Sequence, residues 1–182
     1  MIFLILLFYA YKLSYERKKT LKIVDYRFTN IAEEIISHQE YEQTKSIKHH
    51  DESVYEHSMK VAYYSYLIAY KSNLDWKSCI RGALLHDFHL YEFNKKSNIG
   101  IIKDSISHAI NHPKIAYKNA SKYFELNSME KDIIVGHMFP FGMPKSPEAW
   151  IVSFVDTYIA IFEYGSKAKK LIIKNWKKAF AK

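Results

Sequence analysis

Four histidines and two aspartates, His57, the adjacent pair His86-Asp87, His112, His137 and Asp156, each interrupt or end a segment that otherwise reads as an apolar helix. The steps from one histidine to the next, and on to Asp156, are 29, 26, 25 and 19 residues. Imidazole and carboxylate are donors that divalent transition metals accept readily. Six of them in apolar surroundings need pairing and neutralisation, and a metal centre supplies both. The constraint on the fold is convergence: helices far apart in the chain must meet. Asp156 is the sharpest case, set between Ala149-Trp150-Ile151-Val152-Ser153-Phe154-Val155 and Tyr158-Ile159-Ala160-Ile161-Phe162. It lies either on a thin polar stripe with Ser153 and Tyr158 or buried against a partner, since a buried unpaired carboxylate stays protonated or destabilises the fold.

The rest of the chain reads as helices. Phe28, Ile31, Ile35 and Ile36 recur at helical period within 26–42, and the polar stretch Ile47 to Ser53 reads as a loop. Ser53-Val54-Tyr55-Glu56 is a capping box, which starts a helix that carries His57 and runs to about Lys71. Asp75 can cap the next helix, through Trp76, Ile80 and Leu84 to His86-Asp87. Neighbouring residues on a helix point about 100° apart, so both of that pair reach one centre only at a helix end. Residues 88–103 read as a loop and Ser105 to Asn111 as a short helix. His112-Pro113 then makes a fresh start, because Pro disfavours helix in the residue before it. Ser128 caps a helix that ends at His137, and Met138 to Pro147, with three prolines and Gly142, is a loop. Pro147 opens a helix to Tyr164, stopped by Gly165. With no sign of a sheet or a repeat, the expectation is one all-α domain over 26–165.

At 182 residues, 48% of them hydrophobic, the chain can bury a core of its own. The single cysteine, Cys79, excludes an intrachain disulfide and a thiolate zinc cluster, and reads as a small core residue. The net charge of +8 is local. Residues 166–182 hold seven lysines and no acid, and without them +1 remains. That excludes a broad nucleic-acid-binding face. In this tail Ile172, Ile173, Trp176 and Phe180 fall opposite the lysines, as on a basic amphipathic helix that lies on an anionic membrane surface or packs on the core. Met1 to Tyr11 is wholly apolar or aromatic, and Lys12, Arg17, Lys18 and Lys19 follow. This run is shorter than the ~20 residues a bilayer crossing needs. It reads as an interfacial anchor, as part of a longer hydrophobic segment, or as a helix packed on the domain. The basic flank predicts that the domain lies on the cytoplasmic side.

Among the remaining titratable groups, His108 is four residues from His112, on the same helical face, and reads either as a support for that ligand or as its substitute. His38, His49, His50 and His89 read as surface residues, with His49-His50-Asp51 as an alternative lining for a site mouth. Lys60 and Arg81 read as solvated, or as contacts for a phosphate.

The ordered pattern H…HD…H…H…D, carried by His57, His86-Asp87, His112, His137 and Asp156, resembles the HD superfamily of metal-dependent phosphohydrolases, all-helical proteins. Ser53-Val54-Tyr55-Glu56-His57-Ser58 and Ala83-Leu84-Leu85-His86-Asp87-Phe88 look like the stretches in its small bacterial members. The resemblance spans about 45–165 and implies a single HD-type helical bundle. It implies that His57, His86, Asp87 and Asp156 hold one divalent ion, and that Asp87 bridges to a second held by His112 and His137. His86 and Asp87 would be the catalytic pair, and the substrate a small phosphate ester, a nucleotide among the candidates. After His-Asp the chain continues Phe88-His89-Leu90-Tyr91-Glu92, without the Gly and Lys of members that act on cyclic dinucleotides, so that substrate is not expected. The same ligands occur in di-iron oxygenases of the superfamily, which makes oxygenation the alternative chemistry. A membrane-bound, non-catalytic metal protein is the third reading.

Overall fold

The computed structural model describes residues 25–49, 52–88 and 101–161, without the side chains of 49, 101–106 and 108. The expected N-terminal anchor, the lysine-rich tail, and His50, Asp51, His89 and the His108 side chain lie outside the described residues. Helices α1 (Tyr26–Ile36), α2 (Gln39–Glu42), α3 (Val54–Lys71), α4 (Trp76–Leu85), α5 (Ile101–Tyr123) and α6 (Ser128–Gly136) are followed by α7, over 147–161. The architecture is all-α. Its only strands among the described residues are two-residue pieces, Lys48–His49 and Glu52–Ser53, paired antiparallel where the sequence reads as a loop.

Helix α4 is central, packing against α1, α3, α5 and α6. Its inner face (Cys79, Ile80, Ala83, Leu84) joins Val61, Ile68, Ile133, Ile134, Val152 and Val155 in one core. Cys79 is fully buried there, as expected. No helix among the described residues is long and apolar enough to cross a membrane.

Helix starts follow local chemistry. Asp25 caps α1 at the Arg27 amide and accepts the Tyr66 hydroxyl at 2.7 Å, which ties α1 to α3. The Ser53–Glu56 capping box opens α3, and Asp75 caps α4 at the Ser78 amide, 3.1 Å away. Pro147 lies in the first turn of α7, whose Ala149 amide is capped by the Ser146 hydroxyl at 3.2 Å.

Four boundaries differ from the sequence reading. The helical pattern of 26–42 breaks at Ser37-His38, where the His38 Nδ1 accepts the Glu40 amide at 3.2 Å and caps α2. His38 is therefore no solvated surface residue; its ring also packs on Tyr123 and Phe124. Asn127, not Ser128, caps α6, in a reciprocal box with Glu130. Helix α5 begins at Ile101, inside the expected loop, and runs unbroken through Pro113. Proline inside a helix costs about 3 kcal/mol. Ala109, His112, Pro113, Ala116 and Ala120 make one buried stripe, and that tertiary packing outweighs the local cost.

Candidate metal centre

All six residues singled out by the sequence come together, and each is at most 8% exposed. Five elements deliver them. The capping box places His57 at the end of the first turn of α3. His86 is the C-cap of α4 and His137 the C-cap of α6, so both sit where a helix stops. Asp87 follows the first of these. His112 comes from the middle of α5 and Asp156 from the inner face of α7.

The two C-cap histidines are oriented alike. The His86 Nδ1–H donates to the Ala83 carbonyl at 2.7 Å, and the His137 Nδ1–H donates to the Ile134 carbonyl at 2.8 Å. Each bond spans three residues back along its helix, fixes the tautomer and aims Nε2 at the centre, as for an imidazole prepared to bind a cation. Gly82 and Ile133, each four residues before its histidine, are the reason the two ends meet. A Cβ on Gly82 would lie 2.8 Å from Ile133 Cγ2, so only glycine lets α4 and α6 approach this closely. The His86 and His137 rings consequently stand edge to face with centroids 4.8 Å apart. The Ser153 hydroxyl of α7 donates to the His137 carbonyl at 2.5 Å, which anchors this helix end to the helix bearing Asp156.

The donor atoms face one another. His57 Nε2 is 2.9 Å from Asp156 Oδ1, and His86 Nε2 is 3.7 Å from the same oxygen. Asp87 divides its carboxylate: Oδ2 lies 3.5 Å from His86 Nε2, while Oδ1 lies 3.3 Å from His112 Nε2 and 3.7 Å from His137 Nε2. The His112 and His137 Nε2 atoms are 2.9 Å apart. Two ring nitrogens approach this closely either through a shared proton or with both lone pairs on one cation.

Electrostatics prepare the centre for positive charge. Burial pushes Asp156 toward protonation, but the His57 hydrogen bond and nearby His86 outweigh it and hold the carboxyl below its ordinary range. Burial lowers the His86 pKa, while Asp87 and Asp156 more than restore it, so the net shift is upward. Burial, then repulsion from His86 and His112, pushes His137 down to about 3, leaving it neutral with a bare Nε2 at neutral pH.

These residues fit divalent ions. Three sets, His57–His86–Asp87, His86–His137–Asp156 and Asp87–His112–His137, each offer ligand atoms within 4.8 Å of one another. The His86 Nε2 is buried and makes no hydrogen bond, a cost that a coordinated cation removes.

Two residues expected to be solvated, or to meet a phosphate, are committed elsewhere. Arg81 donates to Glu130 at 2.7 Å, Glu34 at 2.6 Å and the Glu125 carbonyl at 2.9 Å, clamping α4 to α6 and α1. Lys60 is ion-paired with Glu52, whose other oxygen is 3.8 Å from His57 Nδ1. Sequence reading missed Glu52 as a neighbour of the centre, since nothing in its spacing announces that contact, while Ser153, placed with Asp156 on a polar stripe, is buried beside it rather than wet.

The HD domain family model matches residues 54–161, more than half of the chain and the whole stretch that carries the six residues, and the chain belongs to the HD domain family. No curated protein and no solved structure gives a match.

Proposed function

We propose that this chain is a metal-dependent phosphohydrolase that cleaves a small phosphomonoester or phosphodiester with water, at a two-ion centre. The observation that supports it most is the divided carboxylate of Asp87, with Oδ2 toward His86 and Oδ1 toward His112 and His137. One ion would be held by His57, His86, Asp87 and Asp156, and the other by Asp87, His112 and His137. Divalent ions held there would lower the pKa of a coordinated water toward neutrality and neutralise the phosphoryl oxygens.

The chain's own part is preorganisation. The Ala83 and Ile134 carbonyls hold the Nδ1 protons of His86 and His137, so neither ring must turn when it binds. The buried walls keep the local dielectric low and strengthen every charge interaction. A cysteine nucleophile is not available: Cys79 is buried, and burial, then Glu148 and Asp75, push its thiol far up. Arg81 is held by two carboxylates and a backbone carbonyl, so it does not supply the phosphate's countercharge.

The test is elemental analysis of freshly purified protein, with a panel of phosphate esters and an oxygen electrode. Phosphate or alcohol release that tracks metal content supports the proposal. Two irons with oxygen uptake and no ester cleavage would assign an oxygenase of the HD type instead. Bound metal with neither activity would leave a non-catalytic metal protein.

A further inference from the structure

Helix α7 has an outer face that no ordinary solvent-facing helix carries. Its charged residues, Glu148 and Asp156, are both buried, and its exposed positions include Trp150 (43% exposed), Phe154 (40%) and Ile161 (63%). A helix bordering water normally lines that side with charge. The loop before it adds Phe139 (49%), Phe141 (48%) and Met143 (62%), so this stretch holds six of the ten exposed large hydrophobic residues among those described. The patch is continuous in part through the Phe139–Trp150 ring contact, centroids 5.1 Å apart. It is also held in place: Asp132 accepts the Lys145 and Ser146 amides at 3.1 and 2.8 Å, and a Cβ on Gly142 would lie 2.7 Å from the Val135 carbonyl oxygen. A fixed apolar patch of this kind marks an interaction surface.

Charge selects the occupant. From 138 to 161 the only exposed charged side chain is a cation, Lys145. Past one acid, Glu163, the sequence continues to seven lysines over 166–182 with no further acid, and the chain also contains the apolar and aromatic run Met1 to Tyr11. A second copy on a two-fold axis would bring like charge against like. The Met1–Tyr11 run has eleven apolar or aromatic residues in succession, more than one helix face would cover. An anionic bilayer surface satisfies all three at once: aromatic and Met side chains enter the headgroup boundary and lysines meet the anionic lipid.

We propose that the outer face of α7 and the 139–143 loop form a docking surface for anionic membrane lipid. The inference does not rest on the metal centre, which uses the opposite face of the same helix. The test is co-sedimentation of the full chain with phosphatidylcholine vesicles, with and without phosphatidylglycerol. Two paired variants accompany it, Trp150→Ser with Phe154→Ser, and Phe141→Ser with Met143→Ser, each checked for helix content by circular dichroism. The wild-type chain is expected to sediment with the anionic vesicles only, and each folded pair to lower its partition by roughly tenfold. If one pair fails to fold, the other still decides. Failure to sediment with anionic vesicles would overturn the proposal. So would unchanged partition of the folded pairs, which would leave the membrane to the termini alone, or a dimer that these substitutions dissolve, which would give the face to a second copy.

Discussion

The Nε2 of His57 and the Oδ1 of Asp156 lie 2.9 Å apart across 99 residues of chain. This bond closes the candidate centre, joining the first turn of α3 to the inner face of α7. Both residues are almost fully inside, so the pair is balanced by its neighbours rather than by water.

Asp87 stands between the two halves of the site. Replacing Asp87 with Asn keeps the volume and removes the charge that would join two ions. Metal affinity is expected to fall by at least ~100-fold, since even a residue supporting a ligand is worth roughly 10- to 100-fold. Elemental analysis after dialysis reads the loss, with hydrolysis assays alongside. A folded variant with full metal content and full activity would remove Asp87 from the centre.

Gly82 sets the approach of the two histidine-bearing helix ends. Gly82→Ala pushes a methyl group into Ile133, against Cβ at 2.9 Å as well as Cγ2, so a rotamer change does not relieve it. Overpacking of this kind costs about 1–3 kcal/mol, and each 1 kcal/mol lowers the Tm of a domain this size by roughly 2–4 °C. Combining it with Ile133→Ala should recover part of the loss, giving a non-additive cycle in thermal melts. Strict additivity would place the strain elsewhere.

Arg81 is structural. Arg81→Ala strands the Glu130 carboxylate, whose side chain is only 3% exposed, and is expected to cost about 3 kcal/mol. Glu130→Gln in the same background should regain part of it. Urea denaturation measures both, and activity per folded molecule should stay at the wild-type level. A selective loss of kcat/KM without a loss of stability would instead bring Arg81 to the substrate.

The metal-free protein should weaken in acid. His137 is held at about 3 in the fold and returns to its ordinary 6.5 on unfolding, so between those values the unfolded chain binds the extra proton. Stability is therefore fully present above 6.5 and is lost as pH falls toward 3. Asp156, held below its ordinary 3.8, extends the loss at the acid end. The upward shift of His86 works the other way: its contribution is present below its ordinary 6.5 and is lost as pH rises through its higher folded value. Denaturation of chelator-treated protein across this range should show the acid slope, and His137→Asn should flatten it. A wild-type profile level between pH 4 and 6.5 would contradict the buried neutral imidazole.

What the sequence by itself determined lies mostly within a turn of chain. The Ser53–Glu56 box, the Asp75 cap and Pro147 at the start of α7 are interactions over a few residues, so their chemistry is legible in order. The identities and succession of the six candidate ligands are legible too, because polar donors in apolar helices stand out against their surroundings. Contacts across the fold were not. The Asn127 cap of α6 is local but was hidden beside an equally plausible Ser128, and His38 caps α2 with an imidazole, an unusual choice. Pro113 stays helical because the buried stripe of α5 that includes it outweighs a local cost, a balance that no local pattern carries. Only the tertiary structure decided that Arg81 clamps helices rather than meeting solvent or phosphate, that Gly82 yields to Ile133, and that Asp87 splits its two oxygens between His86 and the His112–His137 pair. Helix caps are settled by neighbours in sequence; the distances that make a centre are settled by packing among residues up to a hundred positions apart.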